Sequence, residues 1–368
     1  MNEIGRALSR CGSLTSSLVA LHLVLTPPSA NAAPSTEEMA LYYKGKTINL
    51  LIGTTPGSSA DLQGRIIARH LGPYISGSPR IVPQNMPGSG SVVMMNYLYN
   101  VANRDGTAMG ITVGGIYMRH IFGSKGIRHK LSEMTPIYNP EGSGTVIFAS
   151  AKTGIKKPTD VVKVDRILHF GFQNQEGNSA VLGQAGLRML GINYKAISGY
   201  KGSHDVSLAT ERGELDLGWN TPGTYKTMIQ PKVDAGIVVP IFQSGIWNPR
   251  DNTITPDPDL PNVPTFEALF REIKGIGPSG PLWEAWFAPL ISSARFTIFL
   301  PPKVPLISID ALNAGLEMAC GDQRMIEDLR QAELSEKCYL GEESKAITER
   351  SAHAPSEAVK ALMELLKN

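Results

Sequence analysis

The familiar signatures of catalysis are missing from this chain. It carries no G-x-S-x-G elbow, no H-E-x-x-H pair and no G-x-x-x-x-G-K-[ST] loop. Its seven histidines stand at positions 22, 70, 120, 129, 169, 204 and 353, with no two three to five residues apart. That excludes a local metal-ligand pair of the helical kind. No nucleophile–base arrangement is legible, so an enzyme is not expected, and neither is a metal or a cofactor. An excess of one charge is missing too: 35 Lys and Arg against 33 Asp and Glu leave +2. Nothing here favours nucleic acid or an anionic membrane surface. Cysteine is rare, at positions 11, 320 and 338. Cys320 and Cys338 lie in a C-terminal region of helical character. In an oxidising compartment they either pair or stay free, and spacing leaves both open.

Long apolar runs are absent after the first 32 residues, where no stretch reaches 18 uncharged apolar positions. The N-terminus has the pattern of an export signal. Arg6 and Arg10 give a positive start, Leu14 to Leu25 an apolar stretch, and Ala30-Asn31-Ala32 a small-residue cleavage site. Cleavage after Ala32 is expected, leaving a soluble, exported, periplasmic protein. Glycine and proline are plentiful, at 37 and 26, as in folds with many tight loops between short elements. A chain of 368 residues is enough for two domains.

The stretch from Lys46 to Leu71 organises the rest. Ile48, Leu50, Leu51 and Ile52 read as a short buried strand, and Leu62, Ile66, Ile67 and Leu71 recur at helical spacing. Between them stands Thr54-Thr55-Pro56-Gly57-Ser58-Ser59-Ala60-Asp61, so a small-residue loop ends a strand and opens a helix. The first N–H groups of a helix lack internal partners and carry the positive end of its dipole. Gly57, Ser58, Ser59 and Ala60 are expected to offer such amides to a small anion, with Asp61 as a cap rather than a contact.

The strand–helix rhythm continues: strand Arg80 to Pro83, a turn at Asn85 to Ser91, helix Val92 to Val101, strand Met109 to Val113. The turn lacks the spacing of a dinucleotide fingerprint and is read as a place where two segments approach closely. After strand 145–150 the rhythm restarts with strand Ile167 to Phe172, loop 173–179, helix Val181 to Leu190, a strand near Ala196, helix Ser203 to Arg212 and strand Leu215 to Trp219. Alternating strands and helices predict a parallel sheet with helices on both faces. Gly245 to Pro264 reads as an exposed loop, Phe266 to Ile273 as a short helix, Leu282 to Leu290 as an apolar strand, and Ile307 to Leu366 as mainly helical. Trp283, Trp286 and Phe287 are assigned to packing rather than to a ligand platform.

Taken together, these stretches resemble the substrate-binding proteins of the tripartite tricarboxylate transporter family, the Bug-type periplasmic receptors. Pro56-Gly57-Ser58-Ser59-Ala60-Asp61 is similar to that family's Pro-Gly-Gly-x-x-Asp loop, and Asn85-Met86-Pro87-Gly88-Ser89-Gly90 to its Asn-x-Pro-Gly-Ala-Gly turn. Asp105-Gly106-Thr107, Tyr200-Lys201-Gly202 and Pro261-Asn262-Val263-Pro264-Thr265 match three further family segments in the same order. Three departures fall where that family contacts ligand: Ser58 in place of a glycine, Glu176 in the loop at 173–179, and Gly199 ahead of Tyr200 where a proline is common.

The resemblance implies a two-domain α/β fold of the type II periplasmic-binding-protein kind, with a hinged cleft. Residues 41–147 with 283–368 form one expected domain and 148–282 the other. It implies a monomeric receptor that holds a small organic acid by backbone amides and passes it to permease subunits in the membrane. By position, binding carries over to Gly57, Ser58, Ser59, Ala60 and Asp61 from one side and to Asn174, Gly177, Asn178 and Ser179 from the other. Tyr200 and Lys201 flank them. Two alternatives stand beside this: a receptor presenting ligand to a membrane signalling partner, and an exported enzyme on the same scaffold. If Glu176 faces the cleft, it disfavours a second ligand carboxylate and favours an amide, amine or hydroxyl.

Overall fold

In a computed structural model, residues 34–368 form one compact unit. The structure describes residues 34–367 apart from 143, 174, 249–250, 252, 292–295, 333 and 353–354. The expected export signal and Asn174 therefore lie outside the described residues, as does the side chain of Phe287.

The chain runs through α1 (Thr36–Tyr43), β1 (Thr47–Ile52), α2 (Ser59–Leu71), β2 (Arg80–Asn85), α3 (Val92–Asn100), β3 (Ala108–Val113), α4 (Gly115–Ile121) and β4 (Thr135–Pro140). Its middle holds β5 (Val146–Ser150), β6 (Leu168–Phe172), α5 (Asn178–Leu190), β7 (Tyr194–Ser198), α6 (Ser203–Arg212), β8 (Leu217–Asn220), α7 (Pro222–Thr224) and α8 (Gln230–Asp234). There follow β9 (Val238–Gln243), β10 (Ile246–Asn248), β11 (Thr253–Thr255) and α9 (Phe266–Lys274). The last part is α10 (Pro281–Ile291), β12 (Phe296–Leu300), α11 (Leu306–Cys320), α12 (Gln323–Gln331), β13 (Cys338–Leu340), α13 (Gly341–Ala352) and α14 (Ser356–Leu365).

Two main sheets result, one ordered β13-β4-β12-β3-β1-β2 and the other β7-β6-β8-β5-β9. They are mixed rather than all parallel. In the first, β1 pairs parallel with β2 and β3, while β12 pairs antiparallel with β3 and β4. In the second, β6 pairs parallel with β7 and β8, while β5 pairs antiparallel with β8 and β9. The two sheets thus repeat one pattern, which the sequence showed as a similar rhythm without a sequence repeat. In each, the antiparallel strand comes from outside the local strand–helix run, so spacing along the chain gives no hint of it.

The local reasons are ordinary. In β1 every residue from Leu50 to Ile52 is buried, and α2 turns Ile66, Ile67 and Leu71 inward while Leu62 and Arg65 face out. Gly64 lets this helix sit on the strand, because a Cβ there would lie 3.1 Å from the Ile52 side chain. In α3 the buried face is Val92, Met94, Met95 and Leu98, while Val93, Tyr97 and the C-cap Val101 are exposed.

Two segments differ from the sequence reading. Residues 282–290 lie in helix α10 rather than in a strand. Trp286 is fully buried there and stacks on Phe266 with centroids 4.4 Å apart, in the core of the second sheet. Residues 245–264 are not simply exposed. They contain the β10–β11 hairpin and bury Trp247, Asp257, Leu260 and Val263. Gln243 explains this: its Nε2 donates to the carbonyls of Leu260 and Val263, and its Oε1 accepts from the Asp257 amide. The chain passes from the first sheet to the second between β4 and β5, and returns through α10 to β12. Helix α14 then packs Ala358, Leu362 and Leu365 into the core of the second sheet. Cys320 and Cys338 form a disulfide joining the end of α11 to β13.

Candidate functional site

Both sheets reverse their strand order at one point, beside β1 and β3 in the first and beside β6 and β8 in the second. Crevices at the carboxyl ends of strands around such a point are where α/β sheets take ligands. Helix α2 starts from the end of β1, and α5 starts from the end of β6.

Ser58 is the N-cap of α2, and its hydroxyl accepts from the Asp61 amide at 3.3 Å. The Asp61 carboxylate reaches back and accepts from the Gly57 amide at 2.9 Å. Gly57 has φ +80°, a conformation open to glycine without strain. This corrects one expectation: the Gly57 amide is already engaged by Asp61 and is not offered to a ligand. The Ser58 amide is engaged as well, on the Thr55 carbonyl. Ser59 and Ala60 keep amides without an acceptor among the described residues. Asp61 is not itself the N-cap; from inside the first turn its carboxylate closes back on the residue ahead of Ser58. Only 2 % exposed, it also accepts from Arg65 Nε and from Asn85 Nδ2. Burial alone would raise its pKa, but Arg65, the Gly57 amide and Asn85 together hold it below the ordinary carboxylate range. Asn85 also donates to the Thr54 carbonyl, so the turn at 85–91 is tied to the loop after β1.

That second turn does let two segments approach closely. Gly88, Ser89, Gly90 and Ser91 have φ of +146°, +46°, +58° and +74° in succession. A serine in this region costs on the order of 1–3 kcal/mol and persists only where its surroundings hold it. Ser91 is fully buried; its hydroxyl donates to the Gly53 carbonyl and accepts from the Val113 amide. A Cβ on Gly53 would lie 2.4 Å from that hydroxyl, so glycine is required there.

The cavity above these loops measures about 1040 Å³. Ser58, Ser59 and Ala60 line it from the first sheet's side, and Asn178, Ser203 and Trp219 from the second's. Ser203 opens helix α6 behind the N-cap Gly202, and its amide also lacks an acceptor among the described residues. A smaller cavity of about 680 Å³ is lined by Gly177, Asn178 and Ser179, and by Glu176 and Arg119. Trp219 lines both, with a shielded indole N–H that has no acceptor among the described residues. The structure thus brings together Ser58, Ser59, Ala60, Gly177, Asn178 and Ser179.

Tyr200 and Lys201 line neither cavity. Tyr200 packs on Val206, Ala209 and Leu215, and the Lys201 carbonyl accepts from Gln173 Nε2 at 2.7 Å. Their turn therefore supports Gln173, which lines both cavities. Sequence reasoning passed over Arg119, Gln173 and Trp219. Trp219 could have been found, since an indole at the end of a central strand lies at the reversal point. No spacing signals Arg119.

Two histidines nine positions apart meet beside α4. His120 Nε2 and His129 Nε2 are 2.9 Å apart, and His129 Nδ1 is 2.7 Å from Asn96 Oδ1. Asn96 accepts from the Arg128 amide through that oxygen and donates to Gly126 through its nitrogen, so Oδ1 is the acceptor. His129 therefore carries its proton on Nδ1 and accepts from His120. Burial, and then the neighbouring His120, push His129 down to about 4, and burial lowers His120. His129 stays neutral when folded while in the unfolded chain it takes up a proton below the ordinary value near 6.5. Stability is then full above pH 6.5 and falls as the pH drops towards 4, by on the order of 2–3 kcal/mol at pH 4.5. Urea melts at pH 7 and 4.5 measure it. His129→Gln is expected to flatten the slope, and an unchanged slope would count against this assignment.

No family of related sequences and no curated relative matches the chain. Solved structures do. A TctC solute binding protein from Polaromonas superposes with TM-score 0.64 at 13% identity, over 88% of this chain and 99% of that one. The fold is that of a periplasmic binding protein. An R. palustris protein solved with adipate follows, with TM-score 0.57 at 17% identity over 88% and 98% of the two chains. MatC from Rhodopseudomonas palustris, with bound malate, gives 0.53 at 15% over 88% and 99%. The Polaromonas neighbour is a solute binding protein, and no described helix here is long and apolar enough to cross a membrane.

Proposed function

We propose that this protein is a periplasmic receptor that captures a small carboxylate-bearing organic ligand and delivers it to the membrane permease of a tripartite tricarboxylate-type transporter. One observation carries the reading. Helix starts from both sheets, at Ser59–Ala60 and at Ser203, line one cavity, and their amides have no acceptor among the described residues. Such amides bind an anion with no cation and no bond chemistry. The malate and adipate in similar folds carry the carboxylate group that such amides fit. Residues 148–282 would close on 41–147 and 283–368 by a hinge, acting as a monomer without a cofactor. The export signal and the Cys320–Cys338 bond agree with a periplasmic setting. Mass spectrometry of ligand released from the purified protein, followed by a thermal-shift screen of small organic acids, tests this. An organic acid is expected to be released and to raise the melting temperature. Turnover of a bound acid, or no response to any, would refute it.

A further inference from the structure

We infer that the ligand is dipolar, with a carboxylate held by Arg119 and an ammonium held by Glu176, so that an amino acid is preferred over a dicarboxylate. The inference rests on the receptor function proposed above and deepens it. Among the described residues that line the two cavities, Arg119 is the only lysine or arginine. It stands in the last turn of α4, half-buried, and its guanidinium has no hydrogen bond or ion pair among the described residues. An arginine is charged at any accessible pH and carries five donors in a planar fork that matches a carboxylate. The chain places this fork with some care. The guanidinium lies against Gly90, where a Cβ would come within 3.1 Å of Nε. Gly90 in turn sits in the turn of four successive positive φ values that Ser91 pins to Gly53 and Val113.

Glu176 lines the same cavity from the loop ahead of α5 and is likewise unpartnered among the described residues. The two do not pair with each other. A diacid that meets Arg119 with one carboxylate would bring its second into a cavity that already holds a carboxylate. An amino acid meets both walls with opposite charge.

The purified protein, titrated by calorimetry with ligand pairs of equal length, tests this: gamma-aminobutyrate against succinate, and aminocaproate against adipate. In at least one pair the amino acid is expected to bind roughly tenfold tighter or better. Arg119→Gln should weaken both members by roughly 10- to 100-fold, the loss expected for a charge-assisted contact. Glu176→Gln should reverse the preference towards the diacid. Neither variant removes a hydrogen bond or ion pair found among the described residues, so melting temperatures without ligand should stay close to the parent's. If diacids bind as tightly as their partners and Glu176→Gln changes nothing, the inference fails and the receptor reading stands. If both variants weaken every ligand alike and exchange of the two charges restores binding, the pair is a closing latch and the inference fails. If none of the four binds while the thermal-shift screen finds another organic acid that lacks an amine, the inference fails and the receptor reading stands.

Discussion

Replacing Asp61 with alanine is expected to cost about 1–3 kcal/mol of stability, the penalty for leaving a buried hydrogen-bond donor without its acceptor. The carboxylate is buried and accepts from three donors: the Gly57 amide, which has no other acceptor among the described residues, Arg65 Nε and Asn85 Nδ2. Removing it leaves the Gly57 amide without an acceptor, while Arg65 keeps Asn85 Oδ1 and Asn85 keeps the Thr54 carbonyl. Asp61→Asn should cost less, because one amide oxygen can still accept from Gly57, but it cannot serve Arg65 and Asn85 together. The sign of the pH effect follows from the depressed pKa. The ionised carboxylate contributes fully above its unfolded value, near 3.9, and the contribution is lost as the pH falls through the lower folded value. Urea unfolding at pH 7 measures the cost. A stability for Asp61→Ala that differs by less than about 0.5 kcal/mol from the parent would show that the hub is dispensable. Because the same variant frees the Gly57 amide, its ligand affinity should be read only under conditions where it remains folded.

The sequence makes some of this legible and hides the rest for identifiable reasons. The strand Thr47–Ile52, the helix from Ser59 and the helix Ser203–Arg212 all follow from short-range pattern, and each lies where the spacing puts it. The loop at 54–61 is legible because a run of small residues between a strand and a helix leaves the first amides of the helix without side chains to cover them. Helix α10 is not legible: Leu282 to Leu290, apolar apart from Glu284 and Pro289, is a run too short for its periodicity to separate strand from helix. The hairpin at 246–255 escapes because Gln243, outside the segment, organises the chain that follows it. Within the site, the expectation that Asp61 is not a ligand contact rests on charge alone. That its carboxylate consumes the Gly57 amide depends on a φ of +80° that spacing does not reveal. Arg119, on a seven-residue helix after β3, becomes noticeable only when the turn at Gly90 is folded against it. The pairing of Cys320 with Cys338 needs β13 to pass the end of α11.

Two proline substitutions isolate the amides that the proposed function depends on. Ser59 and Ser203 are the first residues of α2 and α6, the position where proline fits a helix and where its missing N–H breaks no internal bond. The residue ahead of each already has the extended backbone that a following proline requires: Ser58 at φ −73°, ψ 160° and Gly202 at φ −169°, ψ 175°. Ser59→Pro and Ser203→Pro therefore delete one donor each and leave the helices in place. A charge-assisted hydrogen bond is worth about 1.5–3 kcal/mol, so each variant should weaken carboxylate binding by roughly 10- to 150-fold. The double variant should lose roughly two to four orders of magnitude if the sites act independently. Ser59→Ala, which removes the hydroxyl and keeps the amide, should change little. Calorimetric titration with the released ligand reads the affinities, and a thermal melt without ligand checks that both variants fold. If folded Ser59→Pro and Ser203→Pro bind as the parent does while Arg119→Gln does not, the side chain carries the anion and the helix starts only shape the cavity.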